Sequence, residues 1–308
     1  MSSRPPDSPP SASARRAHRA GLALAALGAI AFSGKAIIVK LAYRHGVDAV
    51  TLLMYRMLFA LPLFLAIAWW FGRGRAALGR GDWWGVAGLG FTGYYLASFL
   101  DFAGLAYISA SLERLILYLN PTLVVLSGWL LFGRRVGARQ WLGMAISYAG
   151  IALVFGHEMD TQGSQAWLGS LLVLGSTVSY TVYLVSSGRM VERLGSLRLV
   201  GLASTVACLL CLAQFMALRP MSAAAVAPEV LWLSVANATL CTAVPVVLVM
   251  MAIERIGPGA TAQTGLVGPV ATILLGALLL GEPLTAWSVG GSLLVLAGIL
   301  VFSRRRAQ

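Results

Sequence analysis

Long apolar runs alternate with short segments rich in Gly, Pro and Arg along most of this chain. A helix needs about 20 apolar residues to cross the hydrocarbon core of a membrane. Measured against that length, the runs predict ten transmembrane helices, at 20–41, 48–71, 84–107, 109–132, 139–156, 166–187, 197–217, 229–252, 258–280 and 285–303. The pattern therefore predicts an all-α integral membrane protein.

Short tails flank the apolar part of the chain. Residues 1–19 are rich in Pro, Ser and Arg and are predicted to form a disordered cytoplasmic tail, because they cannot bury a core. The next apolar run continues through Lys35 to about Leu41 without a small-residue cleavage site, which favours a retained first helix over a signal peptide. Residues 304–308 are predicted to be a second cytoplasmic tail.

Composition and charge support the same class. Hydrophobic residues make up 58% of the chain and charged residues 11%, against roughly 45–50% and about 25% in globular domains. This excludes a soluble or disordered protein. With the N-terminus in the cytoplasm, the inside segments carry 17 arginines and the outside loops only Arg44 and Arg219. The positive-inside rule thus places both termini in the cytoplasm, and the net charge of +12 does not indicate nucleic-acid binding.

The cysteines and histidines do not form a candidate metal or catalytic site. The cysteines lie inside apolar runs, where a thiol usually acts as a small apolar filler, and the histidines lie in the tail or in loops. We therefore expect no cofactor and no metal. The residues are Cys208, Cys211, Cys241, His18, His45 and His157.

The chain contains an internal repeat. A shift of 148 residues superimposes 106–155 on 254–303 without a gap and pairs Pro121 with Pro269, Gly128 with Gly276, Gly133 with Gly281, Gly143 with Gly291, and Gly150 with Gly298. The predicted halves are 20–156 and 157–303. Since each half has five helices, the second must cross the membrane in the opposite sense, which is typical of transporters.

Pro121 and Pro269 lie near the middle of their predicted helices. A proline removes one main-chain hydrogen bond and kinks the helix, so each frees a carbonyl group that can bind a solute. The alternative is a packing kink, which membrane helices tolerate. The symmetric pair, next to Asn120 and Gly268, leaves both interpretations open.

The segments NPTLVVLSGWLLFGRRVGARQWLGMAISYAGIALV and GPVATILLGALLLGEPLTAWSVGGSLLVLAGILVF share a Pro and Gly pattern. In this pattern the chain resembles the EamA branch of the drug/metabolite transporter superfamily over residues 20–303. The resemblance implies ten helices in two inverted halves. It also implies a central cavity lined by the first, third, fourth, sixth, eighth and ninth helices. One difference is that Arg134 follows Gly133, whereas Glu282 follows Gly281.

Few charged residues lie inside the predicted helices. Lys40 is close enough to a helix end to reach the interface. Counting at 1.5 Å per residue places the others in one layer on the outer side of the midplane. Such charges are costly in hydrocarbon and must face a cavity or a partner. These residues are Lys35, Arg56, Asp101, Glu113 and Arg114.

Two interpretations of this layer stay open. In the first, it is a structural salt-bridge network within the first half. In the second, Lys35 and Arg56 bind an anionic group of a solute, while Asp101 or Glu113 binds an amine or carries a coupling proton. The layer has a net charge of +1, which favours an anionic or zwitterionic solute.

Helical spacing adds candidate cavity faces, although small and hydroxyl residues also form packing surfaces in membrane helices. The third helix offers Tyr94 and Ser98 on the face of Asp101. The sixth offers a stripe with Tyr180 and Tyr183, and the ninth one with Thr264. The further members of the two stripes are Ser176, Ser179, Ser187, Thr261, Gly265, Gly268 and Thr272.

These features predict a multi-pass secondary transporter of a small polar organic solute, working by alternating access. Export is what the family resemblance implies. No phosphate-binding GxxxxGK[ST] loop is present, so ATP is not the expected energy source, and either coupling to a proton or passive facilitation is expected. The lipid bilayer and the solute are the expected partners, and a homodimer is allowed. The alternatives are a membrane scaffold or sensor, and an intramembrane lipid-modifying enzyme, for which the helices offer no catalytic motif.

Overall fold

The computed structural model describes residues 12–133 and 135–303. Within them the chain is helical and contains no strand. The first half comprises α1 (Ala12–Tyr43), α2 (Ala49–Trp70), α3 (Arg80–Gly90), α4 (Ala97–Leu105), α5 (Ala110–Leu117), α6 (Asn120–Phe132) and α7 (Ala138–Gln162). The second half comprises α8 (Ser164–Ser186), α9 (Gly188–Leu194), α10 (Ser196–Leu218), α11 (Pro228–Ala238), α12 (Val244–Thr264), α13 (Val267–Leu275) and α14 (Ala286–Ser303).

Three π-helical turns join some of these elements. Phe91–Leu96 connects α3 to α4, Thr239–Ala243 connects α11 to α12, and Gly276–Leu280 follows α13. The first two occupy equivalent positions in the two halves, since they are 148 residues apart. π-Helical turns are rare and occur frequently at functional sites.

Each predicted segment falls within helical structure, but seven helices rather than ten are long and apolar enough to cross a membrane among the described residues. The seven are His18–Tyr43, Ala49–Trp70, Ala110–Leu131, Ala138–Asp160, Ser164–Ser186, Ser196–Leu218 and Pro228–Gly257, and two shorter apolar helices are Val267–Leu280 and Ala286–Phe302. The chain thus has the architecture of a multi-pass membrane protein.

Two local predictions from the sequence need correction, and others fall on residues that the structure does not describe. The first helix begins at Ala12, not residue 20, because the Ala and Arg residues of this segment are strong helix formers. A short helix, Gly188–Leu194, lies in what was predicted to be a loop. Residues 1–11, Arg134 and residues 304–308 lie outside the described part, so the predictions made for them stay predictions.

The repeat glycines lie where α7 and α14 cross. A Cβ atom on Gly143 would lie 2.7 Å from the carbonyl oxygen of Gly298, and one on Gly150 would lie 2.6 Å from that of Gly291. The shift of 148 residues exchanges these two contacts. Between them, Ser147 donates a hydrogen bond to the carbonyl of Val295, its own equivalent. The two helices therefore pack antiparallel about a local two-fold axis.

The remaining helices enclose the interior. α1 packs along α12 and α13, α2 packs along α10, and α4 packs along α8.

Gly133 and Gly281, another repeat pair, adopt left-handed conformations with φ of 61° and 72° at the ends of their helices. Glycine takes this conformation without the steric cost of a Cβ atom.

Candidate functional site

A cavity of about 430 Å³ lies between the two halves. Most of the predicted site residues line it, although they come from seven helical elements. They are Lys35, Arg56, Tyr94, Ser98, Asp101, Arg114, Asn120, Tyr180 and the kink residue Pro121.

Four predicted residues do not line this cavity. Glu113 is completely buried behind Lys35. Tyr183 is 6% exposed, and its hydroxyl lies 3.1 Å from that of Tyr94. Thr264 donates to the carbonyl of Ala260 in its own helix, and Pro269 is buried. Their helices face neighbouring helices at these positions.

The helices around the cavity also differ from those that the resemblance implies. The second and seventh predicted helices contribute Met57, Phe64, Val200 and Ser204. The ninth contributes instead to an adjacent cavity of about 360 Å³, through Thr261 and Gly265. The reason is that α13 packs directly against α1 and α5, so it is excluded from the central wall.

Equivalent positions of the two halves face each other across the cavity. Arg56, Tyr94 and Ser98 of the first half correspond to Ser204, Thr242 and Val246 of the second, and all of these residues line it. Tyr94 and Thr242 lie in the two equivalent π-helical turns. Thr242 and Val246 are two of the lining residues that the sequence analysis did not propose, and applying the 148-residue shift to Tyr94 and Ser98 identifies both.

The Lys35 ammonium group contacts two carboxyl groups from different helices. It donates a short hydrogen bond to Oδ2 of Asp101 in α4, and its nitrogen lies 2.9 Å from Oε1 of Glu113 in α5. The Glu113 side chain is 0% exposed, and that of Lys35 is 14% exposed. Lys35 is therefore held by an ion cluster at the cavity wall.

Arg56 has a different environment. Its guanidinium group donates to the Thr242 hydroxyl from Nε at 3.3 Å and from Nη2 at 3.2 Å, and to Ser98 at 3.5 Å. It also lies 5.1 Å from the centre of the Phe102 ring. None of the ion pairs among the described residues includes Arg56. Its charge is thus balanced by hydroxyl dipoles and a ring face.

Arg114 lies between the two cavities and lines both. Its Nε donates to the Thr272 hydroxyl at 3.1 Å, and no described carboxylate pairs with it. Phe32 and Tyr118 also border both spaces. With Phe64 and Tyr180, these rings make much of the central wall aromatic, as in pockets that bind organic ligands.

The carbonyl groups that the two prolines free are already occupied. Four residues before Pro121, the Leu117 carbonyl accepts a hydrogen bond of 3.0 Å from the Asn120 amide. Four residues before Pro269, the Gly265 carbonyl accepts one of 2.7 Å from the Tyr118 hydroxyl. The second bond joins α5 to the other half of the chain.

Two glutamates cap the N-terminus of α5. Glu158 accepts hydrogen bonds from the main-chain and side-chain groups of Ser109, and Glu282 accepts from the Ala110 N–H at 2.9 Å and the Ser111 hydroxyl at 3.1 Å. Carboxylates are stabilised at this positive end of a helix. We call this arrangement the carboxylate clamp. It joins α5 to α7 and to the segment before α14.

Further contacts reinforce the same end of the molecule. Lys40 donates to the Ile108 carbonyl at 2.7 Å, and Arg44 donates to the Leu280 carbonyl at 2.5 Å. In contrast, α6, which continues the chain beyond α5, packs on α8. The two halves are therefore tied together at the end where α5 begins.

The family model for the EamA-like transporter family matches this chain twice, over residues 19–156 and 167–304. The chain belongs to the EamA-like transporter family. Because the family belongs to the drug/metabolite transporter superfamily, the earlier identification is confirmed. The match and the apolar helices identify a multi-pass membrane transporter, which also favours transport over an enzymatic function.

Individual relatives agree with this assignment. An uncharacterized transporter, YcbK of Bacillus subtilis (strain 168), is 32% identical over 295 residues, covering 91% of this chain and 92% of the relative. A second uncharacterized transporter of that organism, YvbV, is 28% identical over 220 residues, covering 68% of each protein. A solved crystal structure matches with a TM-score of 0.60 at 19% identity, over 95% of this chain and 96% of the other. At this identity, the structural match shows the fold alone.

Proposed function

We propose that this protein is a secondary transporter that carries a small organic anion through the central cavity by alternating access. The observation that supports the proposal best is a pair of guanidinium groups, on Arg56 and Arg114, at a cavity inside the apolar domain. Neither group forms an ion pair with a described carboxylate. Charges attract each other more strongly in such an environment than in water. The apolar and aromatic wall favours an organic anion over an inorganic one.

The relation between the halves supports alternating access. In this proposal, ten helices cross the membrane in two inverted halves, 20–156 and 157–303. The antiparallel packing of α7 and α14, with exchanged glycine contacts, is the geometry expected of such halves. Exchanging the conformations of the two halves would open the cavity on the opposite side.

The carboxylate clamp is the contact that has to open in this exchange. We place the clamp on the outer side of the cytoplasmic (inner) membrane and both termini inside, an orientation that the arginine distribution supports. We therefore interpret the described conformation as closed to the outside. Export is the direction that we propose, driven by the outward gradient of the anion, with a proton as the coupling ion.

Uptake into proteoliposomes tests this function. We propose a panel of radiolabelled benzene and naphthalene carboxylates and sulfonates, amino acids, and organic cations. We expect at least one aromatic anion to be taken up and to compete with other anions, and we expect the cations to be excluded. Empty liposomes and the Arg56→Gln variant are the controls. Uptake of cations alone, or equal uptake by Arg56→Gln, would contradict the proposed anion site.

A further inference from the structure

The strongest unexplained feature is the carboxyl group of Glu113. It is completely buried, although it lies in the first turns of α5 and next to the cavity wall. No donor other than the Lys35 ammonium contacts it among the described residues. Oδ1 of the neighbouring Asp101 also accepts no hydrogen bond from them. Two carboxyl groups therefore share one ammonium group, and the Glu113 carboxyl group has no exposed surface.

The helices around Glu113 provide few charged groups that could compensate an ionised carboxylate there. α5 packs against α1, α4, α7, α8, α13 and α14. α8, α13 and α14 carry no charged residue. Besides Asp101 in α4 and Lys35 in α1, four charged groups surround Glu113. Arg114 on its own helix donates to Thr272, and Lys40 donates to Ile108. The clamp carboxylates Glu158 and Glu282 accept from Ser109 and Ala110.

Charge balance then determines the protonation of the cluster. Within the cluster of Lys35, Asp101 and Glu113, one ammonium and two ionised carboxylates leave a net negative charge, which is unfavourable in a buried site. One ammonium, one carboxylate and one neutral carboxyl group leave none. Asp101 forms the shorter contact with Lys35 and borders the cavity, whereas Glu113 has no exposed surface.

We propose that Glu113 is a proton-binding site: in the conformation described here its carboxyl group carries a proton, and Lys35 and Asp101 form the ion pair. The proton enters from water as a hydronium ion when the cluster is hydrated, and it returns to water on release. No other bond changes. The ligand is therefore the proton itself, bound at one residue among the five charges of the layer.

This inference rests on the proposed function where it concerns coupling. Protonation of Glu113 removes a negative charge close to Arg114, so it favours the binding of an anion to the cavity. By linkage, the anion favours protonation to the same extent. The proton and the anion are therefore expected to move in the same direction. Glu113 does not line the cavity, so it acts on the bound anion indirectly, through its charge close to Arg114.

Infrared spectroscopy tests the protonation without any solute. We expect the lipid-reconstituted wild type at neutral pH to show the carbonyl stretch of a protonated carboxyl group. Glu113→Gln should lose this band. Asp101→Asn should lose it as well, although Glu113 is still present, because Glu113 then becomes the only carboxylate for Lys35. The exposed Glu254 provides the control variant, Glu254→Gln, which should keep the band.

Each outcome decides the proposal. A wild-type spectrum without the band, or a band that persists in folded Glu113→Gln, would overturn it. If Glu113→Gln fails to fold, the wild type and Asp101→Asn still give a result, since an undiminished band in Asp101→Asn would assign the proton elsewhere. These spectra do not depend on transport, so their failure is distinct from failure of the uptake panel.

The coupling is tested with an arylsulfonate that the panel identifies as transported. A sulfonate stays ionised and carries no proton of its own. With a pH indicator inside the vesicles, we expect the lumen to acidify together with sulfonate uptake in the wild type. In Glu113→Gln, we expect sulfonate uptake without acidification. Acidification of equal size in that variant would exclude Glu113 as the coupling site.

Discussion

The intramembrane cations differ in what balances their charge. The Lys35 ammonium contacts Asp101 and Glu113, whereas the Arg56 guanidinium group contacts the hydroxyls of Thr242 and Ser98. The function that we propose therefore combines the two interpretations of the layer that the sequence left open. One part of the layer is an ion cluster between α1, α4 and α5, and the other part consists of arginines available to a solute.

A substitution series at Arg56 tests this distinction. We expect Arg56→Gln to fold and insert normally, because no described carboxylate loses its partner. Its apparent KM for the transported anion should rise by about tenfold or more, which corresponds to about 1.4 kcal/mol of lost binding. Adding Asp101→Asn should not restore transport. The measurements are uptake kinetics and the amount of monodisperse protein, and recovery of uptake in the double variant would indicate a structural pair instead.

A substitution at Lys35 should instead lower the stability of the protein. Lys35→Gln removes the counter-ion of a buried carboxylate, a loss that generally costs about 3–5 kcal/mol. We expect poor expression and a lower melting temperature. Addition of Asp101→Asn should recover much of both, because it removes the remaining buried charge. Thermal unfolding of the single and double variants measures the effect, and an unchanged Lys35→Gln protein would argue against the ion cluster.

At the scale of the elements, each half contains a proline break whose free carbonyl is bound by a side chain. In the first half the donor is Asn120, one residue before Pro121. In the second half the donor is Tyr118, which reaches across from α5 to Gly265. The breaks therefore serve as contact points, and the proposed alternating access would require the helices at these points to move relative to one another.

We expect Pro121→Ala and Pro269→Ala to impair transport more than expression. An alanine restores a main-chain N–H that competes for the carbonyl and straightens the helix. Tyr118→Phe removes the hydroxyl that bonds Gly265 and leaves Pro269 in place, so it should reproduce much of the Pro269→Ala defect. Uptake normalised to the amount of inserted protein is the measurement. Normal uptake by both proline variants would favour the alternative that the two prolines are only packing kinks.

At the scale of the whole molecule, the two halves are joined at one end by the carboxylate clamp. Glu282 belongs to the second half, and its partners Ala110 and Ser111 belong to the first. Glu158 adds a bond to Ser109 from α7. The repeat is asymmetric here, since the first half carries Arg134 at the position equivalent to Glu282.

Loss of the clamp should open that end. Glu282→Ala removes a helix cap worth about 1 kcal/mol, up to about 2, which changes a population ratio about 5- to 30-fold. In a variant without native cysteines, Ser98→Cys reports access to the cavity. We expect an impermeant thiol reagent added outside to label it several-fold faster with Glu282→Ala than with Glu254→Ala as the matched control. Equal labelling rates would show that the clamp does not hold the cavity closed.

Orientation is tested independently of the clamp. Arg75 and Asp160 are both exposed and lie in segments that the arginine distribution assigns to opposite sides of the membrane. In intact cells, we expect an external thiol reagent to label Asp160→Cys and to leave Arg75→Cys unlabelled. Permeabilised cells should show labelling of both. The reverse pattern in intact cells would contradict an inside location of the termini.

The sequence by itself determined the class of protein, the positions of the helical segments, the repeat and the family. These properties depend on local features, namely the length of apolar runs, the spacing of Gly and Pro, and the placement of arginines outside the runs. The shift of 148 residues also carried information that was not fully used, because it relates Tyr94 to Thr242 in the cavity wall. Helix beginnings were less well determined, as Ala12 shows, since good helix formers extend a helix beyond its apolar part.

Only the tertiary structure decided which charged groups meet. The sequence placed Lys35, Asp101 and Glu113 in one layer, but a shared depth does not specify the rotation of each helix about its axis. That rotation depends on close packing between helices, including the glycine crossings of α7 and α14. The same packing directs Arg56 towards Thr242, removes Thr264 from the central wall and brings Glu282 to the N-terminus of α5. These are contacts between residues far apart in the chain, and no local pattern encodes them.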